Sequence, residues 1–243
     1  MRFRIDLEYD GSEYFGWQRQ KNTDKTIQEV LESSLKIILG DDIKVTAAGR
    51  TDTGVHALDM TAHFDFHKPI QKKSFLYSIN RILPDDIVIK NIRKVKDEFH
   101  ARYSAIKREY IYKITTKDIA IGRKYFYKLN YKIDYKILDD FLNFIKDIKC
   151  FKSLCKSTVD KHNFECTIYD IKYKLNKNKG ELIFQITANR FLHSMVRAIL
   201  GAAIDVSRGR TDIKTIKKTI LNKENINIYY LPGNALFLKK IYY

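Results

Sequence analysis

The chain has 243 residues, 44% hydrophobic and 30% charged, with 45 Lys and Arg against 29 Asp and Glu for a net charge of +16. That balance excludes a disordered chain, no apolar run approaches the ~18 residues of a membrane span, and the polar, alternating start Met1–Glu8 does not read as a signal peptide. Three cysteines cannot all pair within one chain, so no disulfide framework is expected and a reducing cytoplasm fits.

In chain order, Arg2–Tyr9 alternates apolar and polar residues as a strand does and ends at the turn signal Asp10-Gly11. Thr26-Ile27-Gln28-Glu29 is a capping box ahead of a helical face made by Ile27, Val30, Leu31, Leu35 and Ile38. Ile43–Ala48 and Thr61–Phe66 read as strands. Phe75, Leu76, Ile79, Ile82 and Leu83 have helical spacing up to Pro84, and Ile87–Val95 is a further strand. This is the β-α-β-β-α-β order of a ferredoxin-like unit.

The second half repeats the order without repeating the sequence. Lys107–Thr116 is a strand with Tyr110, Tyr112 and Ile114 on one face, and Tyr135–Ile148 is a helix. Cys166–Leu175 and Glu181–Ala188 flank the hairpin signal Asn176–Gly180. Asn189 is placed to cap a long helix through Val206, a shorter helix covers Ile213–Leu221, and Ala235–Tyr243 closes as a strand. The expectation is an α+β protein of two tandem ferredoxin-like halves, 1–104 and 105–243. They would form one extended antiparallel sheet with helices on one face and a central cleft.

Charge divides the halves. Residues 1–102 carry 17 basic against 16 acidic residues, and residues 103–243 carry 28 against 13. Codon bias would not spare the first half. Lys interleaved with Tyr and Phe suits phosphates and unstacked bases, so the second half reads as a nucleic-acid surface.

Gly49-Arg50-Thr51-Asp52-Thr53-Gly54-Val55-His56-Ala57 is the densest polar stretch. Glycines on either side allow positive φ and hold Arg50 and Asp52 out from a sheet edge. An Asp kept ionised by a neighbouring cation and aimed into a cleft can act as a nucleophile. On the helix after Asn189, Arg190, His193 and Arg197 form a polar stripe opposite Leu192, Met195, Val196, Ile199 and Ala203. Tyr110 is either a half-buried sheet aromatic or a platform for a base. Trp17-Gln18-Arg19-Gln20 is either a loop of donors or, through Trp17, a core anchor. Cys150, Cys155, His162 and Cys166 echo a zinc knuckle, but the first pair is spaced too widely and turn glycines are missing, so no metal is expected. No phosphate-cradling or dinucleotide motif occurs in the sequence, which argues against NTP or NAD chemistry.

Together the blocks Tyr9–Gln20, Gly49–Ala57, Asn80–Ile87, Phe99–Ala105 with Arg108 and Tyr110, and Phe191–Gly201 resemble the tRNA pseudouridine synthase A family, in family order across nearly the whole chain. The resemblance implies isomerisation of uridine to pseudouridine at positions 38, 39 and 40 of the tRNA anticodon stem-loop. It also implies a homodimer with tRNA lying across both subunits, and no cofactor or metal. Asp52 would be the nucleophile, attacking C6 of the base or C1′ of the ribose. Tyr110 would stack on the target base and take part in the final proton removal. Arg197 would pair with Asp52, Arg50 would fill the gap left by the extruded nucleotide, and Leu236 would line the pocket. Three positions depart from the family pattern: Met60 stands where Gln is usual, Cys166 where Arg is common, and Ala235 where Gly precedes the last aliphatic residue. Two other readings stay open, a synthase of the same fold acting on another RNA and a non-catalytic RNA-binding protein.

Overall fold

The alternation in β1 (Arg2–Tyr9) gives its sheet two differently occupied faces. On one face Phe3, Ile5, Leu7 and Tyr9 are buried opposite Phe64, Ala62, Met60 and Ala57 of β3 (His56–Asp65). On the other edge of β1 the same face continues through Ile92, Ile89 and Ile87 of β4 (Ile87–Val95). Both pairings are antiparallel and each carries an irregularity. At the one in β4, Asn80 of helix α2 (Lys72–Ile82) donates to the Ile89 carbonyl and accepts from its N–H, both at 2.9 Å. Met60, in place of a polar residue, is fully buried opposite Leu7.

Helix α1 (Ile27–Leu39) starts where the capping box predicts, with the Thr26 hydroxyl accepting from the Glu29 N–H at 3.3 Å. The reciprocal half of the box is absent, because Glu29 pairs with Arg19 and the Thr26 N–H goes to the Asp24 carbonyl. Strand β2 is shorter than the apolar run predicts, Thr46–Ala47. Buried Glu32 of α1 takes the Val45 N–H at 2.9 Å, so the preceding residues are held to the helix instead of to a ladder.

These data come from a computed structural model that describes residues 1–156 and 163–243. The chain divides into two compact units, Met1–Ile106 with Phe237–Tyr243, and Lys107–Leu236. The last strand, β9 (Leu236–Tyr242), lies in the second half by sequence order. A parallel pairing of Phe237 and Leu238 with His56 and Ala57 instead carries residues 237–243 into the first unit.

In the second unit β5 (Lys107–Thr115), β8 (Glu181–Ala188) and β7 (Ile168–Asn176) are antiparallel in that order, and β6 (Tyr127–Lys128) joins β5 in parallel. The α+β class expected from the sequence holds, and the expected antiparallel pairing is interrupted by short parallel pairings, β3·β9 and β5·β6, among the described residues. Helix α3 (Tyr135–Asp147) is capped by Asp134 and packs against α4 (Met195–Ser207), α5 (Ile213–Leu221) and β7.

Helix α4 departs from expectation at its start. Asn189 does not cap it: its side chain accepts from Thr167 and Arg190 N–H groups at 2.8 Å, and Arg108 takes its carbonyl at 2.7 Å, which a cap would offer to the helix. Arg190 and His193 thus sit in a loop, and the helix begins after Ser194, whose φ of 57° is left-handed. Every residue of α4 except Arg197 is buried. Gly201 in its middle lies against the backbone of Tyr229, and a Cβ there would lie 1.9 Å from the Tyr229 carbonyl oxygen. Gly201→Ala should therefore lower unfolding free energy by about 2 kcal/mol, although Ala stabilises an open helix by about 1 kcal/mol over Gly. Denaturant melts of the two proteins check this.

The second face of the first sheet is polar. Arg4 donates to Asp6 at 2.8 Å and to Thr61 at 3.2 Å, and its guanidinium lies 4.5 Å from the Tyr243 ring centre. His63 is buried there, accepting the Ala101 N–H at 3.2 Å. Burial first, then the Arg2 and His100 charges, pull its pKa down to about 4. The unfolded imidazole titrates near 6.5, so the unfolded state takes up this proton first as pH falls. The contribution of His63 to stability is complete above about pH 6.5 and declines as pH falls towards about 4. His63→Gln should flatten the loss of unfolding free energy between pH 7 and pH 5, measured by urea titration at each pH.

Candidate active-site loop and helix

The Gly49–Ala57 loop is held mostly by backbone. Trp17 N–H donates to the Thr51 carbonyl at 3.1 Å, Gly54 N–H to the Tyr14 carbonyl at 3.2 Å, and Val55 N–H to the Asp52 carbonyl at 3.1 Å. Two glycines of the Tyr9–Gln20 segment allow this approach. A Cβ on Gly11 would lie 2.1 Å from the Val55 carbonyl oxygen. One on Gly16, whose φ is +92°, would lie 2.6 Å from that of Thr51. Of the glycines flanking Asp52, only Gly54 adopts positive φ; Gly49 does not, contrary to the sequence expectation.

Side chains finish the clamp. The Tyr9 hydroxyl meets buried Thr51 Oγ1 at 2.8 Å, and Tyr14 donates to Asp86 at 2.6 Å. Burial, with the Asp86 bond adding to it, pushes the Tyr14 phenol well above its ordinary pKa. Between buried Thr51 and buried Val55, Asp52 is half-exposed and Arg50 is exposed. The loop thus presents a carboxylate at a fixed place while Arg50 reaches solvent. Trp17 resolves as a core anchor, 2% exposed and 6.0 Å from the Tyr9 ring, with Gln18 and Arg19 tied to α1 through Gln28.

His56 belongs to this construction, although the sequence marks it only as a member of the motif. It is 1% exposed and stacks on Phe237 at 4.5 Å. Gly11 N–H lies 3.0 Å from its Nδ1 and the Asp10 carboxylate 2.9 Å from the same nitrogen. One ring nitrogen serves one of these partners at a time, by lone pair or by proton. His56 thereby ties the Asp10-Gly11 turn to the start of β3. Its sequence signal is an Asp-Gly turn at one end of the clamp and a Gly-x-His at the other.

In the second unit, Tyr110 lies opposite Ile186 at the wetter end of a face whose Tyr112 and Ile114 are buried. Its ring meets Phe191 edge-on, with centres 5.1 Å apart. Tyr112 donates to the Pro232 carbonyl at 3.0 Å, and burial raises its pKa. Arg197 donates from Nε to the Leu231 carbonyl at 2.5 Å and receives the Leu231 N–H on its own carbonyl at 3.3 Å. The guanidinium is thereby tethered at Nε to Leu231. Leu236 is 5% exposed and follows Ala235, which is fully buried.

Cys150, Cys155 and Cys166 form no disulfide among the described residues, Cys155 Sγ donates to the Lys152 carbonyl at 3.6 Å, and His162 lies outside the described residues. Among the described residues no group of three His, Cys, Asp or Glu side chains is arranged to hold a metal ion, and no helix is long and apolar enough to cross a membrane.

A family model described as tRNA pseudouridine synthase matches residues 7–104 and 148–243, a span that takes in the Asp52 loop, Arg197 and Leu236 and leaves out Tyr110. Full-length relatives are similar throughout. The tRNA pseudouridine synthase A of Bacteroides thetaiotaomicron is 36% identical over 244 residues, covering 100% of this chain and 90% of that protein. The protein of the same name from a Thermoanaerobacter species is 34% identical, covering 98% of each. The tRNA pseudouridine synthase A 1 of Bacillus cereus is 34% identical, covering 100% of this chain and 98% of that protein. With the clamped Gly-Arg-Thr-Asp loop and the buried helix bearing one arginine inside the matched spans, the chain belongs to the tRNA pseudouridine synthase family.

Proposed function

We propose that the protein isomerises uridine to pseudouridine at positions 38, 39 and 40 of the tRNA anticodon stem-loop, with Asp52 as the nucleophile. The observation that carries this reading is the clamped loop. Its backbone is fixed on both sides of Asp52, and its one carboxylate follows buried Thr51 while remaining half-exposed. A carboxylate has an ordinary pKa of about 4, so it needs orientation more than activation. It attacks C6 of the base or C1′ of the ribose. The N1–C1′ bond breaks, the base turns, C5 joins C1′ as the C5 proton is lost and N1 gains one, and the bond to Asp52 breaks to return the free carboxylate. Nothing is consumed, so the chemistry calls for neither cofactor nor metal.

Arg197 is the cationic partner that orients Asp52. An arginine cannot lose its charge, and its fork matches a carboxylate. Its place as the one residue of α4 that is not buried supports the role. Tyr110 stacks on the target base, Leu236 lines the pocket, and Arg50, exposed on the loop, faces the RNA. Extrusion of a base costs a few kcal/mol and least near a loop, which stacking and phosphate contacts offset. The 28 basic residues against 13 acidic ones in residues 103–243 supply the phosphate contacts. The protein works as a cytoplasmic homodimer with tRNA across both subunits.

Purified protein, incubated with an unmodified tRNA transcript without added metal, should place pseudouridine at positions 38–40 on chemical mapping. Asp52→Asn should lower the rate by about 10³-fold or more while tRNA binding is kept, and Arg197→Met should lower kcat by about 10²-fold. Full activity in Asp52→Asn would refute the nucleophile. Pseudouridine at other sites only would favour a synthase of the same fold acting on another RNA segment.

A further inference from the structure

The loop His100–Ser104 is closed on itself more tightly than its exposure requires. His100 N–H donates to Ser104 Oγ at 3.0 Å and Ser104 N–H returns to the His100 carbonyl at 2.9 Å. The N–H groups of Arg102 and Tyr103 both point at His100 Nδ1, at 3.2 and 3.3 Å. At its base Arg2 pairs with Asp65 and donates to the Asp97 and Phe99 carbonyls at 2.5 and 3.0 Å. Three rings then form a ladder out of the sheet. His63 meets His100 with centres 4.8 Å apart, and His100 meets Tyr103 at 4.4 Å and 33°. Tyr103 ends the ladder 77% exposed, with the Arg102 guanidinium 5.8 Å from its ring centre.

A largely exposed ring, backed by an imidazole and with a guanidinium over it on a self-bonded loop, is a construction that can stack an unpaired base at little entropic cost. Both imidazoles are held below their ordinary pKa, chiefly by burial, so the ladder carries no charge of its own at neutral pH. His63 lies seven residues along β3 from its His56 end, about 20 Å from the Asp52 loop. A base stacked there is not the base undergoing reaction.

We propose that Tyr103 is a stacking platform for a second, unpaired nucleotide of the RNA substrate, with Arg102 beside it for the adjoining phosphate. This deepens the tRNA reading above and rests on it. The platform holds the substrate and takes no part in bond making, so its loss should appear in KM and in tRNA affinity while kcat is kept.

The test uses the full chain and an unmodified tRNA transcript. Tyr103→Ala should weaken binding about ten-fold and raise KM by a similar factor, with kcat within two-fold. Tyr103→Trp should restore affinity, and its added indole emission should be quenched when tRNA is titrated in, whereas the buried Trp17 should respond little. Affinity within two-fold of wild type in Tyr103→Ala would overturn the proposal, as would added indole emission in Tyr103→Trp that ignores tRNA. If Tyr103→Ala instead changes the sedimentation mass and tRNA binding falls only with it, the patch is a protein interface and the platform is refuted. Failure of the wild type to form pseudouridine in any tRNA would fall on the proposed function, whereas an active wild type with an unaffected Tyr103→Ala would fall on the platform alone.

Discussion

The close approach of two backbones organises the first unit. The Tyr9–Gln20 segment lies against the Gly49–Ala57 loop so closely that neither Gly11 nor Gly16 leaves space for a Cβ. At that range the main chain holds the loop through N–H and carbonyl groups of Tyr14, Trp17, Thr51 and Gly54, and side chains only complete the work. A loop fixed by main-chain bonds loses little precision to side-chain rotation, which suits the nucleophilic role proposed for Asp52. Tyr9, Trp17 and His56 then connect the clamp to the core below and to β9 beside it.

In the second unit the corresponding constraint is burial. Helix α4 hides twelve of its thirteen residues, and its small residues Ala198, Gly201, Ala202 and Ala203 let neighbouring chain pass close to its axis. A charged residue on such a helix needs a partner or a function. Asp205 finds its partner in Arg208 at 2.7 Å. Arg197 is tethered through Nε to the carbonyl of Leu231, two residues beyond the Tyr229 backbone that Gly201 admits. The packing that looks like ordinary core thereby tethers one guanidinium.

Much of this was legible in the residues. Alternation placed β1 and β4 to the residue, and helical spacing placed α1, α2 and α5, because each buries one face of a local period. What failed was set by distant partners. Local pattern cannot show that Glu32 would take the Val45 N–H and shorten β2, or that Arg108 would take the Asn189 carbonyl and delay α4. Nor can it show that the last seven residues would pair with β3 and leave the half that precedes them. At the site, the Gly-Arg-Thr-Asp stretch marks its own Asp. The roles of Gly11 and Gly16 were hidden, since a glycine in a turn reads as flexibility when here it provides contact.

On the role proposed for Asp52, main-chain contact at Gly16 sets where its carboxylate stands. Gly16→Ala asks the backbone to accept an L side chain at φ +92° and 2.6 Å from the Thr51 carbonyl oxygen, so the loop must shift. A displacement of about 1 Å costs a catalytic group about 10²-fold. The most direct measurement is single-turnover pseudouridine formation by a folded Gly16→Ala protein, alongside its tRNA affinity. A loss of about 10²-fold in rate with affinity little changed is the predicted result. A folded variant that turns over at the wild-type rate would contradict it.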